Sequence, residues 1–245
     1  MRPLVKRGPA AASWALLLML WPAPLLAQQP AVGSVTALAG EASVTHSAQP
    51  DPAPLQVADE VYLRDRIATN ERSVVRVLLG GKATVTIREL SVLTITEDPA
   101  RTSVDLQSGK IALRVNKALM KPGDAVEIYT PNAVLGVRGS LVVAEVAGTA
   151  AAPETHFTAL EATLPITVAS RGEPTKTSPL RLNERLSITG PRHAAKIGIA
   201  RRLDRAQMSR ERQADELPRH ARRVAERHEG RRGRAPAARP SASSP

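Results

Sequence analysis

The sequence predicts an all-β protein, a twisted β-sandwich or β-roll of about ten to twelve short strands with a short β-solenoid as the alternative, followed by a basic, partly helical C-terminal tail. Three observations carry this reading. From Gly33 to Ile188, runs of β-branched and aliphatic residues recur with turn residues every roughly eight to 12 positions, the spacing of sandwiches and barrels. Inside the runs apolar and polar residues alternate with the period of two that a strand imposes. Helix-period stripes are hard to find before Lys196.

Residues 1–27 have the three parts of a secretory signal: a basic start (Arg2, Lys6, Arg7), an apolar run from Ala10 to Trp21, and a short stretch ending Leu25-Leu26-Ala27. The run is about 12 residues, short of the roughly 20 that span a bilayer as a helix. Cleavage is expected after Ala27 and the protein in the periplasm or outside the cell. The alternative is an uncleaved inner-membrane anchor at residues 10–27. No cysteine follows the run, which excludes a bacterial lipoprotein.

Residues 28–190 form the predicted β domain. Gly33–Leu38 and Glu41–His46 read as strands about Ala39-Gly40, and Gln49–Pro54 as a polar, proline-rich loop. From Asp59 to Ile67 an alternating segment is broken by charges. Ser73–Leu79, Gly80-Gly81 and Ala83–Arg88 make the clearest hairpin, because Gly-Gly supplies positive φ for a tight turn. Ser91–Thr96 is a third run. Thr102–Gln107, Ser108-Gly109 and Lys110–Val115 read as a second hairpin, and Val126–Ile128 leads onward. A late pair of β runs, Leu164–Val168 and Leu180–Ile188, is separated by Gly172 and Pro174 and expected to pair onto the same body.

Thr130 to Val146 is the strongest stretch. Thr130-Pro131-Asn132 breaks the preceding strand, since proline fixes its own φ and pushes the residue before it toward extended geometry. Ala133, Leu135 and Val137 then alternate outward and inward with Val134, Gly136 and Arg138, and Leu141, Val142, Val143 and Val146 continue the apolar run. Gly136 and Gly139 flank Arg138, and a glycine in a strand often marks a bulge or a close backbone approach. Arg138 is expected to be part-buried and paired, because an uncompensated buried charge is costly, or else to contact a partner.

This stretch resembles the signature of the FecR family, bacterial envelope domains whose last core strands read Thr-Pro, a small apolar segment, Gly-Val-Arg-Gly-Thr and a hydrophobic strand. The matching positions are Thr130, Pro131, Gly136, Val137, Arg138, Gly139 and Ser140, with Ser140 where the family has Thr. The family also shows a repeated Gly-Asp; here Ala58-Asp59 and Arg64-Asp65 take those places, which puts the turns made by those glycines in question. The resemblance implies an envelope domain that, in membrane-spanning members, relays a signal from an outer-membrane transporter to a sigma factor. This sequence shows neither a cytoplasmic N-terminal region nor a spanning helix, so a stand-alone exported member is expected.

At Gly190-Pro191 the composition changes. Residues 28–190 hold 16 basic and 17 acidic residues, and residues 191–245 hold 15 basic and six acidic, so most of the formal +11 lies late in the chain. Residues 191–234 read as a basic, partly helical extension: a helix over Lys196–Glu216 with Leu203, Ala206, Ala214 and Leu217 on one face, ended by Pro218, and a second basic piece from Arg219 to Arg234. Ala235–Pro245, rich in Ala, Pro and Ser, reads as disordered. Arg201, Arg202, Arg205, Arg222, Arg223, Arg231 and Arg232 are candidate contacts to an anionic surface such as lipid, lipopolysaccharide or peptidoglycan. Nucleic acid is disfavoured as a partner because an exported chain rarely meets it.

Composition narrows the chemistry. There is no cysteine, which removes disulfides and thiol nucleophiles or ligands. The nucleophile-elbow, zincin, phosphate-loop and dinucleotide glycine motifs are absent. His46, His156, His193, His220 and His228 are scattered, and Asp59, Glu60 and Asp65 read as a charged strand edge in preference to a cation site. No catalytic residue, metal or cofactor is assigned. Beyond residue 27 the aromatics are Tyr62, Tyr129 and Phe157, too few for a stacking platform for sugars or bases. The sequence therefore points to a non-enzymatic interaction or signalling module with an envelope protein partner. The alternatives are a membrane-tethered regulator, if residues 10–27 stay as an anchor, and a cell-wall or polyanion binder acting through the tail. The partner and the oligomeric state are not readable.

Overall fold

The computed structural model describes residues 30–98, 101–164, 166–219, 221–223 and 226. The signal-like segment, the last 19 residues and with them Arg231 and Arg232 lie outside the described residues. Strands β1 (Ala31–Ala39), β2 (Ala42–His46), β3 (Gln49–Pro54), β4 (Glu60–Tyr62), β5 (Arg66–Thr69), β6 (Val74–Leu79), β7 (Ala83–Ile87) and β8 (Val92–Asp98) lead to the longest, β9 (Arg101–Val115). After it come β10 (Ala125–Tyr129), β11 (Ala133–Val137), β12 (Ser140–Gly148), β13 (Pro153–Ala162), β14 (Ile166–Ser170), β15 (Thr177–Leu180) and β16 (Glu184–Thr189). Two short strands, β17 (Lys196–Ile197) and β18 (Arg201–Arg202), and the helix α1 (Arg205–Arg212) follow, and residues 219, 221–223 and 226 are helical as well.

The strands form two layers joined by β9. Sheet A runs β4-β1-β6-β7-β9-β12-β13-β16, with β17 and β18 both on the outer edge of β16, all antiparallel. Sheet B runs β3-β2-β5-β8-β9-β10-β11-β14-β15, antiparallel except for β9 with β10. The first half of β9 belongs to sheet B and the second half to sheet A. One core fills the space between the layers, with Val35, Val77, Val85, Leu113, Val142 and Phe157 from sheet A against Ile67, Leu93, Val104, Ile128 and Leu135 from sheet B. Alternation places them there: in β6 Val75, Val77 and Leu79 are buried while Arg76 and Leu78 are only half-buried.

The expected all-β class holds as a two-sheet rolled sandwich. Three local expectations do not. Ser108-Gly109 is not a hairpin turn: β9 runs straight through it, and Gly109 at φ +88° supplies the bend that carries the strand from one sheet to the other. Gln49–Pro54 is not a loop but an edge strand on β2, a place where proline costs no ladder hydrogen bond. The helix expected over Lys196–Glu216 is only the eight residues of α1; the residues before it are drawn into β17 and β18 by the open edge of β16. Of the face predicted for that helix, Ala214 and Leu217 are buried but Ala206 is exposed. The chain thus does not leave the sheet at Gly190.

Candidate functional site

Two regions concentrate polar groups with defined partners: the family-like stretch, and the outer face of sheet A with the C-terminal segment lying on it.

In the first, Thr130, Pro131 and Asn132 do more than end β10. Asn132 is fully buried, and its Nδ2 donates to the carbonyls of Pro153, Ile188 and Gly190 at 3.0, 3.2 and 3.0 Å. Its Oδ1 accepts from the Thr155 hydroxyl at 2.6 Å, and the Thr155 hydroxyl also lies 3.1 Å from that of Thr130. The Thr130 hydroxyl accepts from the amide of Ala133, closing the β10–β11 turn. Arg171 donates to the Thr130 carbonyl at 2.9 Å and to Asp105 at 3.1 Å, and its guanidinium stands 5.5 Å from the Tyr129 ring centre. The knot joins β10 and β11 of sheet B to β13 and β16 of sheet A.

Downstream, Gly136 is exposed and a Cβ added there would meet nothing within 4 Å, whereas Gly139 needs φ +76° and packs so closely on Lys117 that an added Cβ would sit 2.6 Å from the Lys117 Cβ. Val137 and Ser140 are buried. Arg138 departs from expectation: it is exposed, and among the described residues no ion pair holds it. The alternation continues through Val137, so Arg138 falls on the outward side of the turn where β11 of sheet B gives way to β12 of sheet A.

The replaced family glycines still make their turns. Ala58 and Arg64 both take positive φ, at 77° and 67°. In each case the following aspartate closes the turn: Asp59 accepts from the amide of Gln56 at 2.7 Å, and Asp65 from that of Tyr62 at 2.8 Å. The same turn recurs at Gly123-Asp124 and Asn183-Glu184. Asp65 is buried and also bonds His46 at 2.9 Å, while Glu60 accepts from the Tyr62 hydroxyl, the chief reason that hydroxyl titrates above its ordinary value. The three acids therefore serve separate local bonds.

The second region was not legible as a site in the sequence. Residues 204–219 and 221–223 lie across the outer face of sheet A. Asp204 caps α1 by accepting from the amide of Gln207, and the Gln207 side chain returns the bond to the Asp204 amide. Beyond α1, Ala214 packs on Ala112, Leu141, Val143 and Leu160, and Leu217 and Ala221 pack on Ala37, Ala39 and Val74. Two acids face the sheet. Asp215 takes two bonds from Arg114, at 2.8 and 3.2 Å, lies 3.8 Å from Arg76 and accepts from the Thr86 hydroxyl at 3.3 Å. Glu211, buried, pairs with Arg185 at 2.7 Å and with Lys110 at 3.4 Å. Arg88 reaches the carbonyls of Gln213 and Glu216, and Arg76 the carbonyl of Asp215. Burial works to lower the Arg114 pKa, but its hydrogen bond to Asp215 and the charges of Asp215 and Glu161 outweigh this and raise it.

Glu211 and Asp215 face the sheet while Asp204 and Glu216 are exposed, and Arg201 and Arg202 of β18 together with Arg205, Arg222 and Arg223 are exposed as well. A groove of about 570 Å³ between β16, β18 and α1 is lined by His156, Arg185, Ser187, Arg201, Arg202 and Gln207. Part of its charge is already committed, since Arg185 pairs with Glu145 and Glu211, and His156 bonds Ser187 and Glu154.

Comparison with known proteins places these features. The family model described as FecR protein matches residues 65–161, from the buried Asp65 before β5 to the end of β13, and so includes the Thr130–Ser140 stretch. Two crystal structures of a proposed anti-sigma factor from Parabacteroides distasonis ATCC 8503 align with 16% identity and a TM-score of 0.46, over 59% of this chain and 62% of theirs. The alignment thus spans about three fifths of the solved chains' length. No curated protein matches. Residues 65–161 are a FecR-family domain.

Proposed function

We propose that this protein is a non-enzymatic interaction and signalling module of the bacterial cell envelope, exported to the periplasm or beyond and working through a protein partner. The FecR-family match over residues 65–161 carries the reading. The signal-like pattern of residues 1–27 supports export, and the polar groups of the two regions above are engaged in joining strands and docking a segment. The test has two parts. N-terminal sequencing of the protein recovered from fractionated cells is expected to begin at Gln28, in the soluble envelope fraction. Recovery of residues 1–27 in the membrane fraction would favour the tethered alternative, and recovery from cytoplasm would defeat both. Cross-linking in the intact envelope then identifies the partner.

A polyanion-binding reading is favoured by one observation, the uniform exposure of Arg201, Arg202, Arg205, Arg222 and Arg223. Deleting the segment after Gly190 is a poor test, because it removes β17, β18 and the contacts of Leu217 and Ala221. Substituting the five arginines by glutamine leaves those contacts in place. Retention on anionic vesicles at low salt is expected to fall, and unchanged retention would sink the reading.

A further inference from the structure

We infer that the outer face of sheet A is a docking surface for a partner segment that presents two carboxylates four residues apart beside small apolar side chains, held closed in the free protein by the chain's own segment from Asp204 onward. This rests on the interaction-module reading above and says where the partner binds.

Four observations support it. The apolar contacts under the segment form two small clusters separate from the core between the sheets. The two-layer body is therefore filled without the segment. Second, the segment's hold is thin. Among the eight residues of α1 only Glu211 is buried, and the apolar anchors beyond it are Ala214, Leu217 and Ala221, two of which have a single methyl.

Third, the hold is largely ionic and reaches solvent: the side chains of Arg114, Arg185 and Lys110 keep 44, 31 and 27% of their surface exposed, and those of Asp215 and Glu211 keep 16 and 9%. Pairs of this kind weaken with ionic strength. Segments with few buried contacts are also those that open locally while the core stays folded.

Fourth, the face beneath has a definite chemistry. Arg76, Lys110, Arg114 and Arg185 stand on three strands, with the apolar strips Ala37, Ala39, Val74 and Ala112, Leu141, Val143, Leu160 beside them. Glu145 pairs with Lys110 and Arg185, and Glu161 with Arg114, so the vacated face sets these four cations against two acids and stays net positive, with two apolar strips. Its complement is a short segment with carboxylates four residues apart and apolar residues between and after them, the pattern of Glu211 at the end of α1 and of Ala214, Asp215 and Leu217 beyond it.

The experiment uses the full chain, with a fluorescent peptide of residues 204–223, which carries the Glu211 and Asp215 carboxylates, as the probe. Hydrogen exchange of the wild-type protein comes first: amides of residues 205–217 are expected to exchange about tenfold faster in high salt than in low salt, with those of β9 unchanged. A segment that stays as protected as β9 at both salts overturns the proposal, and this outcome needs no variant to fold. The charge-neutralised Glu211→Gln/Asp215→Asn protein is then titrated with the peptide. Saturable binding about tenfold tighter than to wild type, and lost in high salt, is expected. Absence of binding when exchange shows the segment released overturns it. A concentration-dependent dimer that excludes the peptide would give the face to the segment of a second copy, and would also overturn it. Because both readouts are independent of cellular location, failure here leaves the envelope reading standing, whereas a cytoplasmic location defeats that reading without touching these measurements.

Discussion

Replacing Asn132 tests what the family-like stretch does. Its side chain is buried, donates toward the carbonyls of Pro153, Ile188 and Gly190, and accepts a 2.6 Å bond from Thr155. In Asn132→Ala the Pro153 carbonyl keeps the amide of Gly190 at 3.1 Å, so its loss is softened. The carbonyls of Ile188 and Gly190 lose a donor, and the Thr155 hydroxyl loses its shorter acceptor and keeps only that of Thr130 at 3.1 Å. A buried polar group left unsatisfied costs about 1–3 kcal/mol, so the sum is on the order of 3 kcal/mol. For a domain of this size each kcal/mol moves Tm by roughly 2–4 °C, which gives a fall of about 6–12 °C by circular dichroism. Asn132→Asp separates hydrogen bonding from packing. It keeps the shape but sets a carboxylate against the carbonyl oxygens, so it is expected to be at least as damaging as alanine. A loss under about 1 kcal/mol for the alanine variant, or an aspartate variant milder than it, would refute the reasoning.

Four other substitutions have defined outcomes. Gly109→Ala places a methyl 2.7 Å from the Leu90 carbonyl oxygen at φ +88°, and is expected to cost about 3 kcal/mol or more in chemical denaturation, because β9 must bend there. Arg138→Leu is expected to leave stability within about 0.5 kcal/mol, the ordinary range for an exposed side chain; a larger loss would show that the guanidinium holds the turn after all. Ala58→Gly relieves a left-handed alanine, worth about 1–2 kcal/mol, against about 0.5–1 kcal/mol of added unfolded-state freedom, so Tm should rise by a degree or two. Asp124 sits below its ordinary 3.8 because the Lys121 amide and the Lys82 ammonium bond its carboxylate. Its stabilisation is therefore complete above about pH 4 and lost as pH falls through the lower folded value. Asp124→Asn should melt below wild type at about pH 6, with the gap closing on acidification.

The strands were legible wherever local chemistry decides them. Gly80-Gly81 between two alternating runs gives the β6–β7 hairpin, and the inward positions of β11 match the alternation of Ala133, Leu135 and Val137. Ser108-Gly109 misleads for a physical reason: a glycine at positive φ is as useful for bending one strand between two sheets as for reversing it, and only the distant partners of β9 distinguish the two. The positive φ of Ala58 and Arg64 was hidden because neither residue announces it; the cue was the aspartate that follows. The docked segment was read from its net charge. Its Ala214 and Leu217 were visible as apolar positions, but that Glu211 and Asp215 face inward depends on cations contributed by β6, β9 and β16, which no local window contains.

The Thr130–Ser140 stretch separates into parts with opposite demands. Thr130 and Asn132 face inward and tie sheet B to sheet A through β13 and β16, so a change there should weaken the fold as a whole. Gly139 and Ser140 shape the turn that changes sheets, Gly139 through its φ and its contact with Lys117. Arg138 meets neither demand: it is exposed and lacks an ion pair among the described residues. Its presence cannot be explained by a buried charge needing compensation, the reason first given for expecting it to be paired. If Arg138→Leu leaves the melting temperature unchanged, the structural role is gone, and the guanidinium must be assigned to whatever meets this end of the sandwich.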